Sequence, residues 1–566
     1  MCNPGKLITL TVTLLTVVLA ACDSRAPADR ESVSAGRFAQ GAKTEAAPSP
    51  AELVLKNGYI YTVDARRSIH QAIAIRAGRI VFVGTSAGAD AFIGPATRVE
   101  DLQGKLVLPG FVDALARIGN QGRRLHLYGG QQVGDYQAAV ADFIDANPGL
   151  QLVVGHGWRA AAFGDGAPHK AQLDQVNDLI PIVLYSEDRQ SIWTNSEALA
   201  AAGINMETVA PDGGTIGRDA NGLAIGVFRG APAMALVERI IPPAGAGEHR
   251  AKIVAAQQQR NRWGITSMHA TDIRPGDTTM LATLREMATK EEFTLRLRGS
   301  LAATADMTGE QLAALKQRAE TLQRGELRIH SVSLSVAGYL GQIQAGAAAR
   351  QKQINRFVTD ANRQGLQVQL HAEDDLATRM ALQAFAHASG TRSAEDPRNS
   401  LAPWQLAQGR DFRLLQRTKT IALLEPPRLA STRKPETGRY PATELLRRDI
   451  AVASGGGSPV SQSVNPLAAI QLGVVHRGQN QFRGLVSISG DVAALEQMVA
   501  VFTINGAFAN RIEGETGSLE VGKWADFILL DRNLFQIPPE QIHRARVLRT
   551  YFKGRPVYRA GAALER

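Results

Sequence analysis

Cysteine is almost missing from this 566-residue chain, with Cys2 and Cys22 as its two examples. A disulfide-stapled fold is therefore not expected, and a large domain has core enough without one. Long basic runs are missing too. The formal net charge is +10, but the basic residues are scattered, as at Arg123-Arg124 and Arg447-Arg448. No aromatic residues interleave with them, which argues against nucleic-acid binding and for a solvated basic surface. An anionic membrane face or acidic ligands would suit the sign. The apolar run from Leu7 to Leu19 falls short of the roughly 20 residues that a spanning helix needs.

That run does have a purpose legible from its flanks. Lys6 precedes it and Leu19-Ala20-Ala21-Cys22 follows it. A basic end, an apolar stretch and small residues before a cut site form an export signal. The tetrapeptide resembles a bacterial lipobox, which implies cleavage before Cys22 and lipidation of its sulfur. The expectation is a signal peptide over 1–21 and an exported protein anchored by lipid to a bacterial membrane, facing the periplasm. Losing Lys6 leaves a charge of +9, and losing Cys2 leaves no partner for a disulfide. Residues 22–50, rich in Ala, Ser, Pro, Gly and charge, read as a flexible tether.

About 515 residues follow the tether, roughly twice the usual 250 of a (β/α)8 barrel, so something is added to it. Asn57-Gly58 lies between the apolar runs Leu53-Val54-Leu55 and Tyr59-Ile60-Tyr61, and predicts a hairpin. A second strand pair is predicted around the Gly78 turn, over 72–83. Strand-like segments return at 524–530 and 547–552, with helix and strand alternating between the two ends. This pattern predicts a β-domain closed from both termini around an α/β barrel.

Several motifs occur in order. Leu108-Pro109-Gly110-Phe111-Val112-Asp113 comes first, followed by Gly155-His156-Gly157-Trp158, Trp193-Thr194-Asn195-Ser196 and Gly213-Gly214-Thr215. Thr503-Ile504-Asn505-Gly506-Ala507 and the segment from Gly517 to Asp526 end the series. Together they resemble the amidohydrolase superfamily, in its family 3 branch of N-substituted formamide deformylase-like proteins. The resemblance implies a TIM-like barrel over 109–514 with an insertion at about 118–260. It also implies a composite β-sandwich from 51–108 and 515–566.

Such enzymes hold zinc or another divalent metal through histidines, a lysine and an aspartate at the ends of barrel strands. Here the aligned positions carry other residues. The strand-one H-x-H pair has become Leu115 and Arg117, and the lysine has become Ser333. The strand-six histidine is Pro403, a later histidine is Arg428, and the catalytic aspartate is Gly457. His371 alone keeps a family ligand position. Leucine offers a metal no lone pair, a guanidinium is always cationic, and one histidine does not hold a catalytic zinc. No cofactor is therefore expected.

The remaining polar residues are candidates. His371, Glu373 and Asp375 fall where strand five meets the barrel mouth, and His269 lies on an earlier strand. They read either as a hydrogen-bonded relic or as an acid/base group. Arg117 and Arg428, if turned inward, would attract an anionic ligand. Trp158 and Trp193 resemble pocket-wall positions, with ordinary packing as the plainer explanation. Three functions compete: a catalytically degenerate scaffold binding a small molecule or partner, a hydrolase of non-peptide carbon–nitrogen bonds with a rebuilt site, and a non-hydrolytic chemistry.

Overall fold

The computed structural model describes residues 48–561 apart from 119–124, 165–166, 188–189, 337–345, 373, 391–395, 403–408, 426–441, 457–464 and 475–491. Cys22 and the stretches expected as a signal and, for the most part, a tether thus lie outside the described residues. No helix among the described residues is long and apolar enough to cross a membrane.

Eight parallel strands form the central sheet: β1 (Phe111–Ala116), β2 (Ile265–Ile273), β3 (Arg296–Ala302), β4 (Leu327–Ser335), β5 (Gln367–His371), β6 (Ser400–Ala402), β7 (Ile421–Leu424) and β8 (Val452–Ser454). They neighbour one another in sequence order. Helices such as Thr278–Thr289, Gly309–Leu322, Ala347–Arg363 and Asp375–Ser389 follow successive strands. The period-two alternation of a strand sorts the side chains of β2. Met268 and Ala270 join the main core with Leu281 and Leu284 of the following helix, while His269 lies among polar groups. This is the expected TIM-like barrel.

Between β8 and β1 the described residues show no strand ladder. Asp113, 5% exposed, bridges that seam instead. Its Oδ1 accepts from Leu115 N at 3.2 Å and from Gly456 N at 3.1 Å, while Arg260 Nε donates to Oδ2 at 3.3 Å. Burial pushes the Asp113 carboxyl up, and Arg260 with the two amides pulls it back.

The two chain ends build the expected sandwich. A four-stranded sheet runs in the order 79–84, 72–76, 53–56, 98–101. The facing six-stranded sheet runs 555–559, 547–552, 527–530, 106–109, 59–61, 69–70. Leu53, Leu55, Ile73 and Ile75 of the first pack on Ile60, Val107, Phe527 and Tyr551 of the second. The hairpin around Gly78 is present, with Ala77 at φ 50° and Gly78 at φ 73°, as a two-residue turn with both centres left-handed demands.

The Asn57-Gly58 hairpin is not formed. Leu53–Lys56 pairs with 72–76 and 98–101, whereas Tyr59–Tyr61 pairs with 69–70 and 106–109 in the other sheet. The chain crosses between sheets at this point. Asn57 alone adopts a positive φ, 56°, and Gly58 is needed for space: a Cβ there would lie 2.4 Å from Leu102 Cδ1.

Between β1 and β2 sits a further six-stranded sheet with β-strands from Leu125–His126 to Ala224–Arg229. One of its cores contains Leu125, Val153, Ile182 and Leu184.

Barrel and sandwich are joined by a buried ion pair. Arg296, fully buried at the start of β3, donates to Asp526 Oδ2, which also accepts from Thr516 Oγ1 at 2.7 Å. Asp526 Oδ1 accepts from Lys553 N at 2.8 Å. Asp526→Ala would remove the one carboxylate bonded to this guanidinium, leaving Glu515 and Glu326 at 3.7 and 3.9 Å. We expect a loss of about 3 kcal/mol, read as a lower urea midpoint of unfolding, because a buried charge loses its bonded partner. An unchanged midpoint would show that the pair does not hold the two parts together.

Candidate functional site

The family's ligand positions converge at the C-terminal ends of the barrel strands, and the residues there can be placed one by one. Leu115 is 3% exposed and belongs to an apolar cluster with Ala114, Ala402, Ile421, Leu423 and Ala453. β1, β6, β7 and β8 thus meet through hydrocarbon. Gly455, just after β8, rests its bare backbone on Leu115: a Cβ there would lie 2.3 Å from Leu115 N and 2.8 Å from Leu115 Cβ. Only glycine permits that approach. Arg117 follows β1 and is partly buried.

On β4, the Ser333 hydroxyl donates to the Thr271 carbonyl at 2.9 Å and is committed to the backbone. His371 ends β5, partly exposed, in register with Ser335 and Ala402. Of the two acidic residues expected beside it, Asp375 is described. Asp375 is exposed in the first turn of its helix, where negative charge suits the helix dipole. Asp374 caps that helix by accepting from Ala377 N at 2.7 Å. Glu373, Pro403, Arg428 and Gly457 lie outside the described residues.

These residues do not fit the metal that the fold family uses. A catalytic zinc generally takes three protein ligands from imidazole, carboxylate or thiolate. Leu115 lies in hydrocarbon and the Ser333 hydroxyl is spent on a carbonyl. Among the described residues, no group of three or more His, Cys, Asp or Glu is placed to hold a metal ion.

His269 occupies a different environment. It is 4% exposed, with Nδ1 at 2.6 Å from Asn510 Oδ1 and Nε2 at 2.7 Å from Ser300 Oγ. Ser300 in turn bonds Ser331 Oγ at 2.7 Å and Gln369 Oε1 at 3.3 Å. β2, β3, β4 and β5 are thereby tied together by one polar network. Ser300 has no exposed surface, so this hydroxyl is not open to a substrate. Burial first, then the charge of Arg298, brings the imidazole down to about 4, against the Asn510 bond. His330, whose ring centre is 5.7 Å away, is also pushed well down by burial.

Trp158 and Trp193 are not pocket walls. Trp158 is 3% exposed and Trp193 fully buried, both inside the inserted unit. Their indoles meet edge to face at 6.4 Å and donate to the carbonyls of Leu184 (2.8 Å) and His169 (3.1 Å). An indole that packs on every side and satisfies its N–H internally leaves no face for a ligand. Sequence reasoning missed the roles of Asp113, Ser300 and Asn510. Asp113 stood in a recognised motif, but Ser300 and Asn510 carry no pattern that marks them.

The family described as "Amidohydrolase family" matches residues 98–558. "Exoenzymes regulatory protein AepA" of Pectobacterium carotovorum subsp. carotovorum is 29% identical over 363 residues, covering 59% of this chain and 77% of that protein. "N-substituted formamide deformylase" of Arthrobacter pascens is 22% identical, covering 89% of this chain and 97% of that enzyme. Among solved structures, an uncharacterized metal-dependent hydrolase from Pyrococcus furiosus superposes with a TM-score of 0.62 at 20% identity. That match covers 86% of this chain and 100% of the hydrolase, and it supports the fold.

The depressed pKa of His269 has a consequence for stability. An unfolded histidine titrates near 6.5. Between that pH and about 4 the unfolded chain gains a proton that the folded chain refuses. Stability at His269 is thus full above pH 6.5 and falls as the pH drops to 4. The loss is about 3 kcal/mol at 1.36 kcal/mol per pH unit. His269→Gln should flatten this part of the curve of urea midpoint against pH. An equally steep fall in the variant would assign the effect to other groups.

Proposed function

Because this chain belongs to the amidohydrolase family, yet buries hydrocarbon where that fold places its metal, we propose that it is a catalytically degenerate member, exported as a lipoprotein, that binds a small molecule or partner. The observation that carries this reading is the packing of Leu115 against Ala402, Leu423 and Ala453, with Gly455 pressed onto it. Metal-assisted hydrolysis needs a held ion and an open position where water is acidified. Aliphatic side chains supply neither. A fold does not confer activity, and a barrel can persist as a binding scaffold after its chemistry is gone. A regulatory role is in keeping with the name of the AepA relative.

Hydrolysis of non-peptide carbon–nitrogen bonds is the second reading, favoured by the deformylase relative and by His371, which retains an imidazole at the end of β5. That site would have to act without the family's ion or with one weakly held.

Elemental analysis and turnover separate the two readings. We expect the purified chain to hold no stoichiometric transition metal, and a strong chelator to leave its melting temperature unchanged. N-formyl and N-acyl compounds should survive incubation with it. One bound metal per chain, lost together with stability on chelation, would overturn the proposal. So would turnover abolished by His371→Ala.

The anchor is tested separately. Cys22→Ser should remove palmitate labelling and release the protein from the membrane fraction, since acyl chains supply the attachment. Normal labelling and fractionation of that variant would rule out lipidation at Cys22.

A further inference from the structure

At the N-terminal end of the barrel, away from the family's ligand positions, the cations Arg296, Arg298, Arg328 and Lys553 share the carboxylates of Glu326, Glu515 and Asp526. Arg298, the third residue of β3, is 4% exposed. Its register partner on β4 is Arg328, which is exposed. Register partners on parallel neighbours project to the same face, and the charge of Arg328 acts on Arg298. Like charges placed this way repel.

The acids in the neighbourhood are engaged by other cations. Glu326 pairs with Lys553 and lies 3.9 Å from Arg296. Glu515 lies 3.7 Å from Arg296, and Asp526 is bonded to Arg296 directly. Arg298 donates through Nη1 alone, to the carbonyls of Glu326 at 3.0 Å and Leu297 at 3.5 Å. Its Nε and Nη2 make no hydrogen bond to a described residue. Burial brings its pKa down to about 10; Arg296 and Arg328 add to that, and Glu515 and Glu326 oppose it.

One positive charge of this cluster is in surplus, and a guanidinium with unused donors offers a planar fork that matches the oxygens of phosphate or sulfate. We propose that Arg298 and Arg328 form a binding site for a small inorganic oxyanion of the phosphate or sulfate type at the N-terminal end of the barrel. Arg298 supplies a fixed, desolvated charge with Nε and Nη2 free to donate. Arg328 supplies an arm that reaches the anion from solvent. The site is independent of whatever happens at the opposite mouth, so it stands whether or not the chain hydrolyses anything.

Equilibrium dialysis of the full chain against inorganic phosphate, at constant ionic strength set with chloride, reads the site directly. One phosphate should bind per wild-type chain, competed by sulfate. Arg328→Gln should weaken this at least about 10-fold, the scale of one lost charge-assisted pair. As a surface change, it should leave the melting temperature in chloride almost unmoved. In parallel, saturating phosphate should raise the wild-type melting temperature by roughly 2–4 °C, and that of Arg328→Gln by clearly less. The variant comparison is needed because phosphate stabilises proteins generally through exclusion from their surfaces. No stoichiometric binding, or binding and stabilisation equal in wild type and Arg328→Gln, would overturn the proposal. Arg298→Lys provides a second check: it keeps the charge but loses the fork, and undiminished affinity there would also overturn it.

Discussion

A barrel must join its last strand to its first, and here a single carboxylate does that work. Asp113 receives the amide of its own strand at Leu115 and the amide of Gly456 beyond β8. Its second oxygen takes the Arg260 guanidinium from the helix Ala246–Arg262, which leads into β2. Three elements that are distant in sequence therefore depend on one buried charge and its partner. The glycine backbone at 455 presses on Leu115 right beside this bridge: a Cβ there would also lie 2.5 Å from Asp113 Oδ1.

Around that seam the barrel interior divides into two chemistries. β1, β6, β7 and β8 contribute hydrocarbon from Leu115, Ala402, Leu423 and Ala453. β2 to β5 contribute His269, Ser300, Ser331 and Gln369, bonded to one another. The polar half shows how an interior can lack a metal and still keep hydroxyls and an imidazole: each finds a partner within the layer, so the desolvation penalty is met. The apolar half is simpler and drier.

Much of the fold was legible because its signals are local and repeated. The motif around Pro109-Gly110, the glycine turn at 78 and the terminal strands announced the barrel and the sandwich. The Asn57-Gly58 hairpin misled for a physical reason: the dipeptide encodes a chain reversal but not which sheet receives the next strand, and that is settled by partners at 69–70 and 106–109. At the site, residue identities alone revealed the missing ligands at Leu115 and Ser333. They could not reveal that Leu115 joins a continuous apolar cluster, nor that Asp375 is exposed in the first turn of its helix. Trp158 and Trp193 looked like a pocket because aromatic residues serve both cores and clefts, and only their surroundings distinguish the two.

The composite sandwich also constrains the order of events in time. Leu106–Pro109 finds its neighbour in Phe527–Leu530, and that strand in turn pairs with Val547–Phe552. A chain emerging from its N-terminus can pair Leu106–Pro109 with Tyr59–Tyr61 early, but must hold the other edge of that strand open until nearly its whole length has been made. Contacts of such long sequence separation form slowly, because loop closure precedes any gain from pairing. Completion of this domain is thus a late step of folding, and the young chain keeps exposed strand edges that need shielding until its last residues arrive.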